Sequence, residues 1–178
     1  MCGIVGIFCK KEFLAEQYKE QLKESLQRLA HRGPDGNGLY FNKNIGLGHV
    51  RLSIIDLTSA GAQPMLSSQE SHVITYNGEV YNFNELRQEL TIKNLDFKSN
   101  TDTEVILELF KLRGVSLFEQ LNGMFAFSVV DIDNSKAYLV RDRFGIKPLY
   151  YKVDNDKIVF SSEIKSIAAV AENDGLNE

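Results

Sequence analysis

The chain has 178 residues, 24 acidic against 20 basic side chains, a net charge of −4 and 43% hydrophobic residues. This balance excludes wholesale disorder and offers no basic footprint for nucleic acid. A single domain of this length buries about 70% of its unfolded surface, enough for a core without disulfides or metal.

The N-terminal run Ile4, Val5, Ile7, Phe8 is followed, not preceded, by Lys10 and Lys11, the wrong order for a secretory signal. No stretch approaches the ~18 apolar residues of a membrane span, and Cys2 stands where myristoylation needs Gly. The expectation is a soluble cytoplasmic protein with no membrane partner. Residues 4–8 read as a buried strand. If the strand runs from Cys2 to Cys9, the odd spacing puts the two thiols on opposite faces, about 23 Å apart, unable to pair or to share a metal. With no CxxC, no HExxH and no His pair at ligand spacing, no metal site is expected.

Leu14, Tyr18, Leu22, Leu26 and Leu29 recur at helical spacing, and Gly33-Pro34 ends that helix. Leu47 to Ile55 contains a strand pattern. Val73 to Tyr76 is another strand, closed by the turn dipeptide Asn77-Gly78. Asn82 with Glu85 marks a helix through Leu90. Thr101 with Glu104 opens another helix, stopped by Gly114, and Ser116 with Glu119 caps one more turn. Phe125–Ile132, Ala137–Val140, Leu149–Val153 and Ile158–Phe160 read as strands, with hairpin turns at Asp133-Asn134 and 154–156. A last helix spans Glu163 to about Val170, before the polar tail Glu172–Glu178. Helices alternating with hairpins imply an α+β domain in which helices cover antiparallel sheets.

Chemistry could reside in few places. If Met1 is removed, Cys2 carries a thiol and a free α-amine of pKa ~7.7–8.0, nucleophile and general base in one residue. The alternative is a small buried residue starting a strand. Asn77-Gly78 could supply an oxyanion hole from an amide and a backbone N–H, or simply a turn. Arg51 could clamp a carboxylate or sit in a surface ion pair. Asp102 could accept an ammonium or complement a helix dipole. Gly33-Pro34-Asp35-Gly36 is readable as a turn, and Arg141-Asp142-Arg143 as an ionic network or a binding edge. Gly46-Leu47-Gly48 lacks the rest of a phosphate loop, so no nucleotide is expected in this chain. Together the candidates describe a site for a zwitterionic amino-acid amide.

Several blocks carry a resemblance. Met-Cys-Gly-Ile-Val-Gly-Ile-Phe at the start is similar to class II glutamine amidotransferases. His31-Arg32-Gly33-Pro34-Asp35-Gly36, Arg51–Asp56, Gly61-Ala62-Gln63-Pro64-Met65, Tyr76–Asn82, Thr101–Ile106, Leu121–Phe127, Arg141–Tyr151 and Ser161–Lys165 resemble the glutaminase domain of asparagine synthetases. Pro34 after Arg32-Gly33 is similar to asparagine-synthetase-like members. The resemblance implies an α-β-β-α Ntn hydrolase sandwich of two antiparallel sheets, over residues 1–171. It also implies that Cys2 attacks the glutamine side-chain carbonyl, releasing ammonia and leaving a γ-glutamyl thioester for hydrolysis. It assigns Arg51, Leu52, Ile54, Ile55, Asn77, Gly78, Glu79 and Asp102 to glutamine binding, with Asn77 and Gly78 also at the oxyanion. The family implies no cofactor in this domain. ATP and magnesium are expected in a synthetase domain beyond a linker begun by 172–178, fused or separate. Asparagine from aspartate is the default acceptor reaction, with sugar or peptide acceptors, a homodimer, or a non-catalytic dimerisation or regulatory domain as the alternatives.

Overall fold

The computed structural model describes residues 1–11, 15–92 and 95–170. Leu14, the expected boundary at 171 and the tail 172–178 lie outside them. Strand β1 (Gly3–Cys9) is followed by helix α1 (Lys19–Leu29), flanked by 3₁₀ turns at Ala15–Tyr18 and Ala30–Arg32. Then come β2 (Gly36–Asn42), β3 (Ile45–Arg51), the short β4 (Met65–Leu66), β5 (His72–Val80), α2 (Phe83–Ile92) and α3 (Asp102–Arg113). A 3₁₀ stretch, Gly114–Gln120, leads to β6 (Gly123–Asp131), β7 (Lys136–Arg141), β8 (Tyr150–Val153), β9 (Lys157–Ser161) and α4 (Ile164–Val170).

Two antiparallel sheets form, of strand order β2-β3-β1-β9-β8 and β4-β5-β6-β7. Strand alternation sorts their side chains into three cores. Val5, Ile7 and Val50 pack on Leu22, Leu26 and Leu29 of α1 and Ile167 and Val170 of α4. Ile74, Tyr76, Val80 and Phe127 pack against α2 and α3, including Leu86, Leu90, Val105 and Leu109. Ile4, Leu47, Val73, Ala126, Val130 and Phe160 fill the space between the sheets. The result is the four-layer α-β-β-α sandwich expected. Cys9 lies with Val5 and Ile7 on the helix side of β1, while Ile4 and Phe8 face the other sheet, so the odd spacing does separate it from the Cys2 face.

Four local expectations are corrected, the last of them in part. Asn77-Gly78 is not a turn: both residues are inside β5, opposite Ala126 and Phe125. The turn reading fails because a Cβ on Gly78 would stand 2.5 Å from the Met124 carbonyl and 2.7 Å from Phe125 Cα; the glycine answers a close backbone approach within the sheet. Asn82 does not cap α2. Its amide donates to the Gln120 carbonyl and accepts from Asn122 N–H, which ties the helix to the loop before β6. Ser116 hydroxyl donates back to the Arg113 carbonyl instead of capping a new turn. At α3, Thr101 does cap, accepting from Glu104 N–H, but the Glu104 carboxylate turns to the backbone N–H groups of Lys98 and Ser99.

The inter-sheet layer is filled to contact at Gly6, where a Cβ would meet the Phe160 ring at 2.3 Å. Overpacking of this kind costs ~1–3 kcal/mol. Gly6→Ala should therefore lower unfolding free energy by about that much, and a second change, Phe160→Leu, should restore part of it. Urea titrations of the two single variants and the double variant check the coupling.

Candidate active site

An open cleft of about 240 Å³ lies at the end of the sandwich where β1 begins. Its lining includes Cys2, Arg51, Leu52, Ile54, Ile55, Asn77, Gly78, Glu79 and Asp102, so the fold brings together the residues that the resemblance assigned to the reaction and to glutamine; Gly33–Gly36 and Arg141–Arg143 do not line it. Sequence reasoning did not assign Gln63, Tyr76, Met124 and Lys147, which also line it. All four belong to blocks that carried the resemblance, and that was the available signal.

Cys2 is held by its backbone. Arg32 Nε donates to the Cys2 carbonyl at 3.0 Å, and Arg32 also pairs with Glu163 at 2.9 Å. Next along the strand, the Ile4 N–H donates to Ser162 Oγ, and the Ile4 carbonyl accepts from Ser161 Oγ and Ser162 N–H. The thiol lies at the start of the loop after β3, with Leu52 N–H 3.4 Å and the Leu52 carbonyl 3.6 Å from Sγ. Met1 stands at the cleft too, 56% exposed.

Opposite lies the open edge of β5. Because β4 covers only Val73 and Ile74, the edge beyond is unpaired by strand. Side chains take its N–H groups instead: Tyr76 N–H donates to Gln63 Oε1 at 2.7 Å and Val80 N–H to Asp102 Oδ2 at 3.0 Å. Antiparallel alternation points the Gly78 N–H, halfway between them, toward the same edge. On the other side of β6 the Phe125 N–H and carbonyl are engaged by Asp142, consistent with Gly78 and Phe125 forming a pair that does not bond across the ladder. Asn77 is 2% exposed, and its Nδ2 is buried with no hydrogen-bond partner. A buried amide donor left unpaired costs ~1–3 kcal/mol. Asn77 and Gly78 thus line the cleft with Cys2 and carry two donors, Nδ2 and a backbone N–H, of the kind that can receive an oxyanion.

The two candidate charge clamps, Arg51 and Asp102, are set in different surroundings. Among the described residues Arg51 has no ion-pair partner: its guanidinium donates to the Thr58 and Asp56 carbonyls of the loop it precedes. That loop is fixed by Asp56, whose carboxylate accepts from Asn100 N–H and from the Thr58 hydroxyl and N–H, contacts that hold it down at about 2. Neutral carbonyl partners leave the Arg51 charge available to the cleft. Asp102 opens α3 but is 4% exposed and accepts from Tyr76 Oη at 2.6 Å. Burial raises its pKa, against the hydrogen bonds from Tyr76 and Val80, and Glu79 adds repulsion. A ligand ammonium would relieve that desolvated, Glu79-crowded carboxylate. Leu52 sits beside the thiol, Glu79 stands half-buried at the cleft, and Ile54 and Ile55, 65% and 42% exposed, form its apolar lip.

Among the described residues no group of three or more His, Cys, Asp or Glu could hold a metal ion. Gly46-Leu47-Gly48 lies inside β3, paired on both sides. No helix among the described residues is long and apolar enough to cross a membrane.

Glu163 controls how the N-terminal strand is held. Partial burial opposes its charge, but hydrogen bonds from Arg32, Lys165 and His31 outweigh it and hold the pKa to about 2. A depressed carboxyl contributes stability that is present above its unfolded value of ~4.5 and is lost as pH falls toward 2. Melting temperature of the parent should fall through that window, and Glu163→Gln should be less stable at neutral pH and lose less on acidification. Buried His49, pushed down to about 4 by its burial, acts in a separate window, losing its contribution from about 6.5 to 4, so thermal scans from pH 7 to 2 resolve the two.

Comparison with known proteins completes the description. A family model described as "Glutamine amidotransferase domain" matches residues 1–177. The chain is 43% identical over 175 residues to asparagine synthetase [glutamine-hydrolyzing] 1 of Bacillus subtilis, covering 98% of this chain and 27% of that protein. It is 40% identical over 171 residues to asparagine synthetase B [glutamine-hydrolyzing] of Escherichia coli, covering 96% of this chain and 30% of that protein. It is also 42% identical to amidase chry2 of Gibberella zeae, over 87% of this chain and 23% of that one. The chain therefore spans about a quarter to a third of the length of these relatives. Among solved structures, glutamine phosphoribosylpyrophosphate amidotransferase of B. subtilis aligns over 95% of this chain and 43% of its own, with TM-score 0.76 and 24% identity, a likeness of fold.

Proposed function

We infer that this chain, which belongs to the glutamine amidotransferase domain family, hydrolyses the side-chain amide of L-glutamine through Cys2. The observation that carries the reading is the buried, unpartnered Asn77 Nδ2 in the same cleft as the Cys2 thiol. Removal of Met1 frees the Cys2 α-amine. As sulfur attacks the amide carbon, the thiol proton passes to that amine and the carbonyl oxygen becomes an oxyanion between Asn77 Nδ2 and the Gly78 N–H. The amine returns the proton to the leaving nitrogen, ammonia departs, and a γ-glutamyl thioester remains. Water activated by the same amine cleaves it to glutamate and the free thiol. Arg51 holds the substrate carboxylate and Asp102 its ammonium, with Leu52, Ile54, Ile55 and Glu79 around the chain between.

We further propose that the ammonia serves an ATP-dependent amidation in a synthetase domain, asparagine formation from aspartate in the first instance. The support is that B. subtilis and E. coli relatives named as glutamine-hydrolysing asparagine synthetases are each several times longer than the matched region. In this reading ATP and magnesium act there, and the amidotransferase unit itself uses no cofactor.

Ammonia release from glutamine is expected from protein whose first residue is Cys2 and not from the same protein with one residue kept ahead of Cys2; equal rates would overturn the amine's role. Asn77→Ala should lower kcat by ~10²–10³ with little change in KM, because an oxyanion donor acts mainly in the transition state. Calorimetric binding separates the clamps. Arg51→Ala should weaken glutamine by ~2–5 kcal/mol but its α-carboxamide analogue far less, since that ligand has no carboxylate to lose. Equal losses for both ligands would make Arg51 a structural residue.

A further inference from the structure

Lys147 is 6% exposed, lines the cleft that holds Cys2, and has as its hydrogen-bond acceptor the thioether of Met1, with Nζ 3.3 Å from Sδ. A thioether is a weak acceptor and carries no charge. A buried ammonium normally has a carboxylate or several oxygens. None of the ion pairs among the described residues includes Lys147. Its position is also fixed. Asp142, itself buried, accepts the backbone N–H groups of Lys147, Ile146, Phe144 and Phe125. Arg141 donates to the carbonyls of Lys147 and Gly145, the latter at positive φ. The Arg141-Asp142 pair is therefore neither an ionic network nor a binding edge. It is a frame of hydrogen bonds around a loop that delivers one cation to the cleft.

Met1 Sδ is five covalent bonds from the Cys2 nitrogen. When Met1 is removed, the ammonium loses its partner and lies within about one methionine side chain of the amine that removal creates. We propose that Lys147 is a positioning residue whose charge keeps the α-amine of mature Cys2 unprotonated near neutral pH, ready to take the thiol proton. The inference rests on the glutaminase reading above for its catalytic consequence, but not for the electrostatic effect itself.

The sign follows from charge. A cation beside an amine disfavours the ammonium form and lowers its pKa, so removing the cation raises it. Other charges face the same cleft: Arg51 from β3 acts in the same sense as Lys147, and Asp56 from the loop after β3, Glu79 from β5 and Asp102 from α3 act in the opposite one. Arg32, on the Cys2 carbonyl, adds a further cation that Glu163 pairs. Tyr76, driven well above its ordinary pKa by burial and by Asp102, stays neutral. Among the lining residues two cations thus face three carboxylates, and removing the Lys147 charge alone should shift that balance. At partly screened distances of this order the effect is about one pH unit.

The experiment compares Lys147→Met and Lys147→Arg with the parent, all with Met1 removed. The acidic limb of kcat/KM for glutamine should move up by about one pH unit in Lys147→Met and stay near the parental position in Lys147→Arg. A purely structural lysine would lower activity at every pH without moving the limb, and that result overturns the proposal, as does an equal shift in both variants. A second measurement needs no turnover. In a Cys2→Ala background, where no thiol competes, the pH dependence of α-amine acylation, followed by peptide mass, should shift by the same amount on Lys147→Met. No shift there overturns the proposal whether or not glutamine is the substrate. A shift there without ammonia release from the Cys2 protein would instead count against the glutaminase reading.

Discussion

The whole site depends on how β1 is pinned. It is the central strand of its sheet, hydrogen-bonded to β3 on one side and β9 on the other, so its register cannot slip without turning every apolar side chain to the wrong face. Ile4 is held through Ser161 and Ser162, and the Cys2 carbonyl through Arg32 and Glu163. Residue 2 is thereby delivered to one end of the sandwich with its thiol toward the cleft. A nucleophile at a chain end would ordinarily fray; here two flanking strands and a charged clamp remove that freedom.

The facing sheet supplies the complementary half. β5 is left as an edge along most of its length, a condition proteins usually cover or blunt. Its N–H groups are instead distributed among Gln63, Asp102 and an open position at Gly78. Asn77, on the inner face of the same strand, keeps a buried amide unpartnered. The chain forgoes a hydrogen bond in the resting state at the position where charge would develop in a transition state. The same economy places Asp102 in a desolvated setting and Lys147 beside a thioether. In the proposed reading a ligand completes the partners of these groups.

Much of this was legible in the sequence. Short apolar runs bounded by turn signals marked β1, β6, β7, β8 and β9, and leucine spacing marked α1, because buried segments leave a pattern. The odd spacing of Cys2 and Cys9 correctly separated the thiols. Asn77-Gly78 misled as structure, since a turn dipeptide and a glycine demanded by the Phe125 backbone look identical without knowing the neighbouring strand. Asn82 misled for a related reason: its partners, Gln120 and Asn122, are distant in sequence. β2, Gly36–Asn42, carries glycines and asparagines and gave no strand pattern; it forms because β3 offers it a full ladder. Residue types identified the site's chemistry, but its assembly was carried by the resemblance alone, since Arg51, Asn77 and Asp102 meet only through sheet topology. Lys147 was invisible as a functional group because what matters is its partner, the Met1 thioether at the other end of the chain.

The most direct test of the account is covalent labelling with a diazoketone analogue of glutamine on protein whose first residue is Cys2. The label should attach once, at Cys2, be blocked by glutamine, and be abolished in Cys2→Ala while Cys9 stays unmodified. Attachment at Cys9, or modification of Cys2 that glutamine does not slow, would contradict the claim that this cleft holds glutamine against the Cys2 thiol.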